Sequence, residues 1–435
     1  MEYGAAWFES AFKSAPDAVA ASDPDGSLSA LEIGLKARSL AAKLRPESPK
    51  VVGLDLPAGV DWIVAAQGVW LSGAAILPLD SGLDSAERER RLGRCDLVLD
   101  SSKLEAVGRD GGKGCSAPTP HSPAALLYTS GTSSQPTEVM LSHGNLIAQG
   151  TLSNRALGAS RADRWLSALP LNHTGGLTVV ARSAVWGSQS VLRPKFEVAD
   201  FENLLSSSDA AITLVSLVPT MLLRLLDAGL SNPPSLRRAV VSGAPLTSDL
   251  KLRALDAGIP VVEAWGMTET TGMAAVERQP GQGGAGPALD GIHIEVSESG
   301  EIRVGGPTVA PGVMVGAMFN TGDLGTLDGG VLRVTGRASS LIISGGHNVS
   351  PERVEDVLSA HQSVEACRVF GIDSSEWGQS VAAEIVVSGD PSDAELRAHC
   401  ADRLAVWETP RTFARVAQLE MTTSGKPTRH PKETS

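Results

Sequence analysis

Short apolar runs alternate with stretches of helical spacing through the first 265 residues. Residues 27–44 place Leu and Ala at helical intervals, and VVGLDL at 51–56 reads as a short buried strand. Residues 61–72 then read as a helix and 74–79 as a strand, a β-α-β rhythm that predicts a parallel sheet flanked by helices. The rhythm continues through apolar runs at Val191, 211–217, 238–241 and 261–264. From Ile292 the pattern changes. Residues 292–296, 300–304 and 331–334 alternate as antiparallel strands do, around turns such as Asp328-Gly329-Gly330. After Arg337 a smaller unit is predicted, with helices at 351–361 and 393–403 and strands at 366–370 and 382–387. The main boundary falls near Ser339, giving units 1–338 and 339–435.

Composition narrows the class. A chain of 435 residues with 42% hydrophobic content predicts two or three globular domains with a large core. Net charge is −12 with no basic run, which argues against a nucleic-acid or anionic-membrane surface. Four cysteines (Cys95, Cys115, Cys367, Cys400) lack C-x-x-C spacing, and the start MEYGAAWFESAFK has no basic segment leading into an apolar run. A reduced cytoplasmic protein is the expectation. The apolar stretch 62–79 is interrupted by glycine and polar residues, as buried helix plus strand would be.

Three segments carry candidate chemistry. YTSGTSSQPTEVMLSHGNL, at 128–146, follows an apolar strand, and its hydroxyls on Thr129, Ser130, Thr132 and Ser133 around Gly131 could aim donors at phosphate oxygens. It lacks the G-x-x-x-x-G-K-[ST] frame of a Walker loop. EAWGMTET, at 263–270, ends a strand of the expected sheet, where open parallel sheets bind ligands. There Trp265 offers a face to a purine, Gly266 permits close backbone approach, Thr268 can donate to phosphate and Glu269 can hold Mg2+. In the third segment Asp323, in a T-G-D turn, could accept both hydroxyls of a ribose, and Arg337 could reach the same sugar. The literal G-x-G-x-x-G at 281–286 follows no strand and precedes Pro287, so it predicts no dinucleotide site.

These motifs, with NTGDLGTLDGGVLRVTGRASSLIISGGHNVSPERVE at 320–355, occur in the order found in the AMP-forming adenylating enzymes. The resemblance spans nearly the whole chain. LPLNHTGGL at 169–177, SLVPTMLLRLL at 216–226 and LIISGGHNVSPERVE at 341–355 most resemble the o-succinylbenzoate-CoA ligase subfamily. The resemblance implies a large N-terminal domain of layered α/β sheets plus a distorted β-barrel, with a small mobile α+β C-terminal domain. It implies ATP, Mg2+ and coenzyme A as reactants, with a small carboxylic acid as substrate. A stand-alone enzyme loading a carrier-protein thiol and a degenerate nucleotide-binding homologue are the alternatives. The chain ends soon after Lys426, so no attached carrier domain is expected. Oligomeric state is left open by the sequence, a homodimer being the common form among soluble enzymes in general.

By the same resemblance, residues 129–133 form the phosphate loop. Thr137 and Glu138 stand where the family has Lys and Gly, which removes a positive charge and adds a negative one. Gly243, Ala244 and Pro245 border adenine. His173, Ser242, Gly266 and Met267 line the acyl pocket, and Lys426 in TTSGKPTR bridges the substrate carboxylate and the α-phosphate. Ser339 is the hinge, and Gly345 and Gly346 line the pantetheine channel. A second carboxylate on the acid would need a cation, for which Arg182 and Arg224 are candidates.

Overall fold

The computed structural model describes residues 6–79, 82–83, 85–105, 117–129, 136–374 and 376–420. Two sheets sandwich four helices of the first unit. The larger runs in the order Gly272–Val276, Val261–Met267, Arg238–Val241, Leu214–Leu217, Arg164–Ser167, Gln189–Leu192, Val19–Asp23 and Gly26–Ser29. Its six inner strands are parallel, and only the two outermost pairings are antiparallel. The smaller sheet runs Leu97–Leu99, Val51–Leu54, Ala75–Pro78, Pro123–Thr129 and Thr137–Ser142.

Between them lie Ala30–Leu44, Val60–Ser72, His143–Leu157 and Thr174–Trp186. Val60–Ser72 is buried on nearly every side, as VDWIVAAQGVWLS allows. Trp62, Trp70, Leu177 and Val180 join one core cluster with residues of the smaller sheet. The helix anticipated at 27–44 starts later: Gly26–Ser29 pairs as a strand, and Ser29 with Glu32 forms a capping box at the helix start. The hairpin at 19–29 and the helix Ser85–Leu92 carried no periodicity long enough to be read in advance.

The antiparallel unit, expected as a distorted barrel, is a five-stranded sheet ordered Gly286–Pro287, Val331–Arg337, Phe319–Asp328, Glu301–Gly305 and His293–Val296. Ile302, Val304 and Leu332 pack it against Ala274, Val276 and Trp265 of the large sheet. Beyond Ser340 a further sheet (His347–Val349, Ile342–Ser344, Gly378–Val387, Val364–Ser374, with Thr412–Arg415) carries Pro351–Ser359 and Asp393–Ala401. Its core cluster of Ile342, Val354, Leu358, Val381, Ile385 and Phe413 includes no residue before Ile342. Among the described residues no helix is long and apolar enough to cross a membrane.

Candidate active site

Parallel strands leave their carboxyl ends on one edge of a sheet, so loops far apart in sequence meet there. Ser242–Pro245 follows Arg238–Val241 directly, and Gly266 to Glu269 end Val261–Met267 and open the single 3-10 turn Thr268–Thr270. His173 begins the helix Thr174–Trp186, a few residues past Arg164–Ser167. Thr129, the last residue of Pro123–Thr129, brings the smaller sheet to the same place, because this strand lies against Thr268–Thr270. Residues 130–133 and Lys426 lie outside the described residues.

The turn after Val261–Met267 is locked by its threonines. The Thr270 hydroxyl accepts from the Met267 N–H at 3.0 Å and donates to the Gly272 carbonyl at 2.7 Å. Thr271 is fully buried with φ of 56°, a conformation a β-branched residue rarely adopts, and its hydroxyl holds the Thr308 carbonyl at 2.6 Å. Gly266 is glycine for a reason the sequence did not reveal. A side-chain carbon there would sit 1.8 Å from the Gly272 carbonyl oxygen, because a bulge brings strand Gly272–Val276 against it.

Trp265, Asp323 and Arg337 form one assembly. The cross-strand register sets Asp323 opposite Arg337, and the guanidinium Nε lies 2.8 Å from Oδ1. The Trp265 indole N–H donates to Oδ2 at 2.9 Å, so the carboxylate is fixed from both sides. Trp265 is only 9% exposed, and most of its ring belongs to the core. Glu269 lies close enough to feel both charges. Burial raises its carboxyl above the ordinary range, Arg337 opposes that rise and Asp323 adds to it. Among the described residues Glu269 has no ion-pair partner. A desolvated carboxylate without a counter-ion fits a hard divalent cation.

The charge of Glu138 is not turned loose beside the phosphate loop. Both its oxygens receive Arg94 at 2.9 and 2.8 Å, and the Tyr128 hydroxyl donates at 2.8 Å. Arg94 holds the Glu138 carboxyl below its usual range. The guanidinium groups of Arg90 and Arg91 lie over the Tyr128 ring at 4.9 and 4.5 Å. Glu138 and Tyr128 pair across strands, whereas Thr129 pairs with Thr137, so Glu138 alternates to the opposite face from Thr137. The expected gain of a negative charge at the loop is therefore corrected: Arg94, 44 residues earlier, neutralises it. Nothing in the spacing pointed to Arg94.

The remaining candidates are placed as follows. Ser339 is exposed within the single turn Ala338–Ser340 that joins the antiparallel sheet to the last unit. Gly345 and Gly346, with φ of 60° and 81°, make the two-residue turn between Ile342–Ser344 and His347–Val349. The Trp377 ring lies so close under Gly345 that no side chain fits there. His347 stacks on Trp407 at 4.0 Å beside this turn. Arg182 is 4% exposed, donates to Ser153 at 3.0 Å and lies over the Trp165 ring, and burial lowers it to about 9. Arg224 is exposed above Phe196, on the helix Pro219–Asp227 that follows Leu214–Leu217.

Comparison with known proteins decides the family. The AMP-binding enzyme model matches residues 8–100 and 96–314, and the AMP-binding enzyme C-terminal domain model matches 353–426. The chain belongs to the AMP-binding enzyme family. As an adenylating enzyme it is an AMP-forming acid–thiol ligase that uses ATP and works through an acyl-adenylate. This ligase is 31% identical to the 2-succinylbenzoate–CoA ligase of Bacillus licheniformis, over 98% of both chains. It superposes on the o-succinylbenzoate CoA synthetase of Bacillus subtilis in complex with the acyl-adenylate OSB-AMP with a TM-score of 0.88, at 28% identity over 99% and 98% of the chains. With the same enzyme in complex with ATP and magnesium ion the TM-score is 0.85, at 27% identity over 97% and 98%. With a double mutant of that enzyme bound to the product analogue OSB-NCoA it is 0.70, at 28% identity over 97% of both chains. At similar identity and coverage, the whole chain superposes better on the complexes with acyl-adenylate or ATP than on the one with the product analogue.

Proposed function

We propose that this ligase converts an o-succinylbenzoate-type aryl acid to its coenzyme A thioester, releasing AMP and pyrophosphate. The observation that carries the reading is the assembly at the end of Val261–Met267. There Glu269, which has no ion-pair partner among the described residues, lies beside a carboxylate fixed by indole and guanidinium, Asp323. Similarity to the Bacillus ligases over the whole chain supports the choice of acid. Mg2+ arriving with ATP would be held by Glu269 and would offset charge on phosphate oxygens.

In the first half-reaction the acid's carboxylate attacks the α-phosphorus in line, and the bond to pyrophosphate breaks. Asp323 holds the ribose, with Arg337 keeping its carboxylate oriented. Thr129 to Ser133 and Thr268 donate to the phosphates. Trp265, Gly243, Ala244 and Pro245 border adenine. Lys426 stabilises the oxygens of the new bond, where charge accumulates. His173, Ser242, Gly266 and Met267 border the acid, and Arg224, the accessible one of the two candidate cations, pairs with its second carboxylate.

Residues 339–435 then turn about Ser339, withdrawing Lys426 and presenting Gly345 and Gly346 to the pantetheine arm. The thiol sulfur bonds to the acyl carbon as the bond to AMP breaks. The test is pyrophosphate release with Mg2+-ATP, with and without free coenzyme A, across succinylbenzoate, simple aryl and fatty acids. Release for succinylbenzoate, with a thioester formed when coenzyme A is present, is expected. Dependence on a carrier protein, or a preference for acids lacking the second carboxylate, would overturn the assignment. Lys426→Ala should block adenylation and spare thioester formation from supplied acyl-adenylate, and Arg224→Ala should raise KM only for the dicarboxylate.

A further inference from the structure

The helix Ser248–Asp256 opens at the edge of the large sheet just after Ser242–Pro245, with Thr247 as its cap. Helix starts leave backbone N–H groups without partners and carry partial positive charge. The Thr247 side chain takes the Leu250 N–H. The Ser248 N–H is taken from across the molecule: it donates to Oδ1 of Asp356 at 3.2 Å, 108 residues later in the chain. Asp356 belongs to the helix Pro351–Ser359 of the last unit. This hydrogen bond joins that unit to the first away from the connecting strands. Nearer the hinge, the Ser350 hydroxyl donates to the Thr335 carbonyl.

From this contact we infer that Asp356 is a positioning residue, a latch that holds the C-terminal unit in the adenylate-forming arrangement through the start of helix Ser248–Asp256. The inference rests on the proposed alternation about Ser339. Its chemistry is a charge-assisted hydrogen bond from a backbone N–H to a carboxylate at the positive end of a helix. Turning the unit away separates the two, so the contact favours the first half-reaction over the second. Asp356 acts through the placement of the unit that carries Lys426.

The donor can be removed without touching the acceptor. Ser248 is the first residue of its helix, where proline is well accommodated, and Thr247 before it has φ of −64° and ψ of 148°, which proline also accepts. The experiment measures single-turnover pyrophosphate release and, separately, thioester formation from supplied acyl-adenylate for wild type, Asp356→Ala, Ser248→Pro and the double variant. Each single variant should lower the ratio of adenylation to thioester rate by about two- to fivefold, the range for one carboxylate at a helix start. The double variant should match either single one, because both remove the same bond. Asp356→Glu should recover part of the ratio. An unchanged ratio, or an equal loss in both halves, overturns the latch. Wild-type protein that releases no pyrophosphate with any acid would instead overturn the proposed function.

Discussion

Replacing Gly266 with alanine separates two reasons for a glycine at the end of strand Val261–Met267. If it serves only the approach of a ligand, Gly266→Ala will fold normally and bind ATP poorly. If it serves the neighbouring strand, the fold itself will suffer. The structure favours the second. The new carbon would lie 1.8 Å from the Gly272 oxygen and 2.9 Å from the Ala274 nitrogen, where carbon atoms essentially never come within 3.0 Å. Strand Gly272–Val276 must therefore retreat by about 1.2 Å from residue 266. Met273, Ala274, Ala275 and Val276 on it are all at most 5% exposed, so the strand has little room to move. Forcing backbone into a packed core costs roughly 1–3 kcal/mol. Loss of the Thr270 bond to the Gly272 carbonyl adds about 1 kcal/mol. We expect a destabilisation of roughly 2–4 kcal/mol, read as a fall of several degrees in melting temperature. ATP binding should weaken with it, because Glu269 and Trp265 flank the displaced turn. The assay is thermal unfolding beside calorimetric titration of Mg2+-ATP. Unfolding that matches wild type would refute the packing argument, and lost ATP binding at unchanged stability would restore the ligand reading.

The other predictions concern charge. Arg94→Ala should raise KM for ATP severalfold by leaving the Glu138 carboxylate uncompensated beside the phosphate loop, and Glu138→Gln in that background should restore it; a single variant with wild-type KM would show that the pair has no part in nucleotide binding. Asp323→Asn should raise KM for ATP by about 10- to 100-fold, the range for a charged hydrogen-bond acceptor, with a smaller effect for Arg337→Ala because that side chain is 44% exposed; unaltered KM values in both would remove this pair from the site. His143 is 1% exposed, accepts the Trp7 indole N–H at 3.0 Å, and burial pushes it down to about 4. The unfolded chain, with an ordinary histidine near 6.5, binds the extra proton between those values. Its contribution is therefore whole above pH 6.5 and fades towards pH 4, by roughly 3 kcal/mol in total. Urea titrations should show this slope in wild type and its loss in His143→Gln, and equal slopes would contradict the buried neutral imidazole.

Most of the secondary structure was legible because period and punctuation are local properties. The strands at 238–241 and 261–264, the helices from 351 and 393, and the turn at Asp328-Gly329-Gly330 needed only their own residues. Hairpin Val19–Asp23 with Gly26–Ser29 was not legible, since VAASD and GSLS contain too few apolar positions to show a period. They become strands because Val19–Asp23 adds in parallel to Gln189–Leu192, a partner about 170 residues away. The capping box of Ser29 and Glu32 was written in the sequence, yet the strand just before it moved the helix start.

The sequence by itself determined the family, the order of the motifs and the residue types that could meet a nucleotide, because those depend on which side chains are present and how they are spaced. Only the tertiary structure decided what each charge faces. Glu138 reads as a liability beside a phosphate loop until Arg94 is brought to it from another helix's end, and Asp323 reads as a common turn residue until Trp265 and Arg337 hold both its oxygens. Asp356 is an ordinary surface acid of an amphipathic helix until the last unit sets it against the start of Ser248–Asp256. Electrostatic energy depends on distance through space and on burial, and neither is a function of separation along the chain.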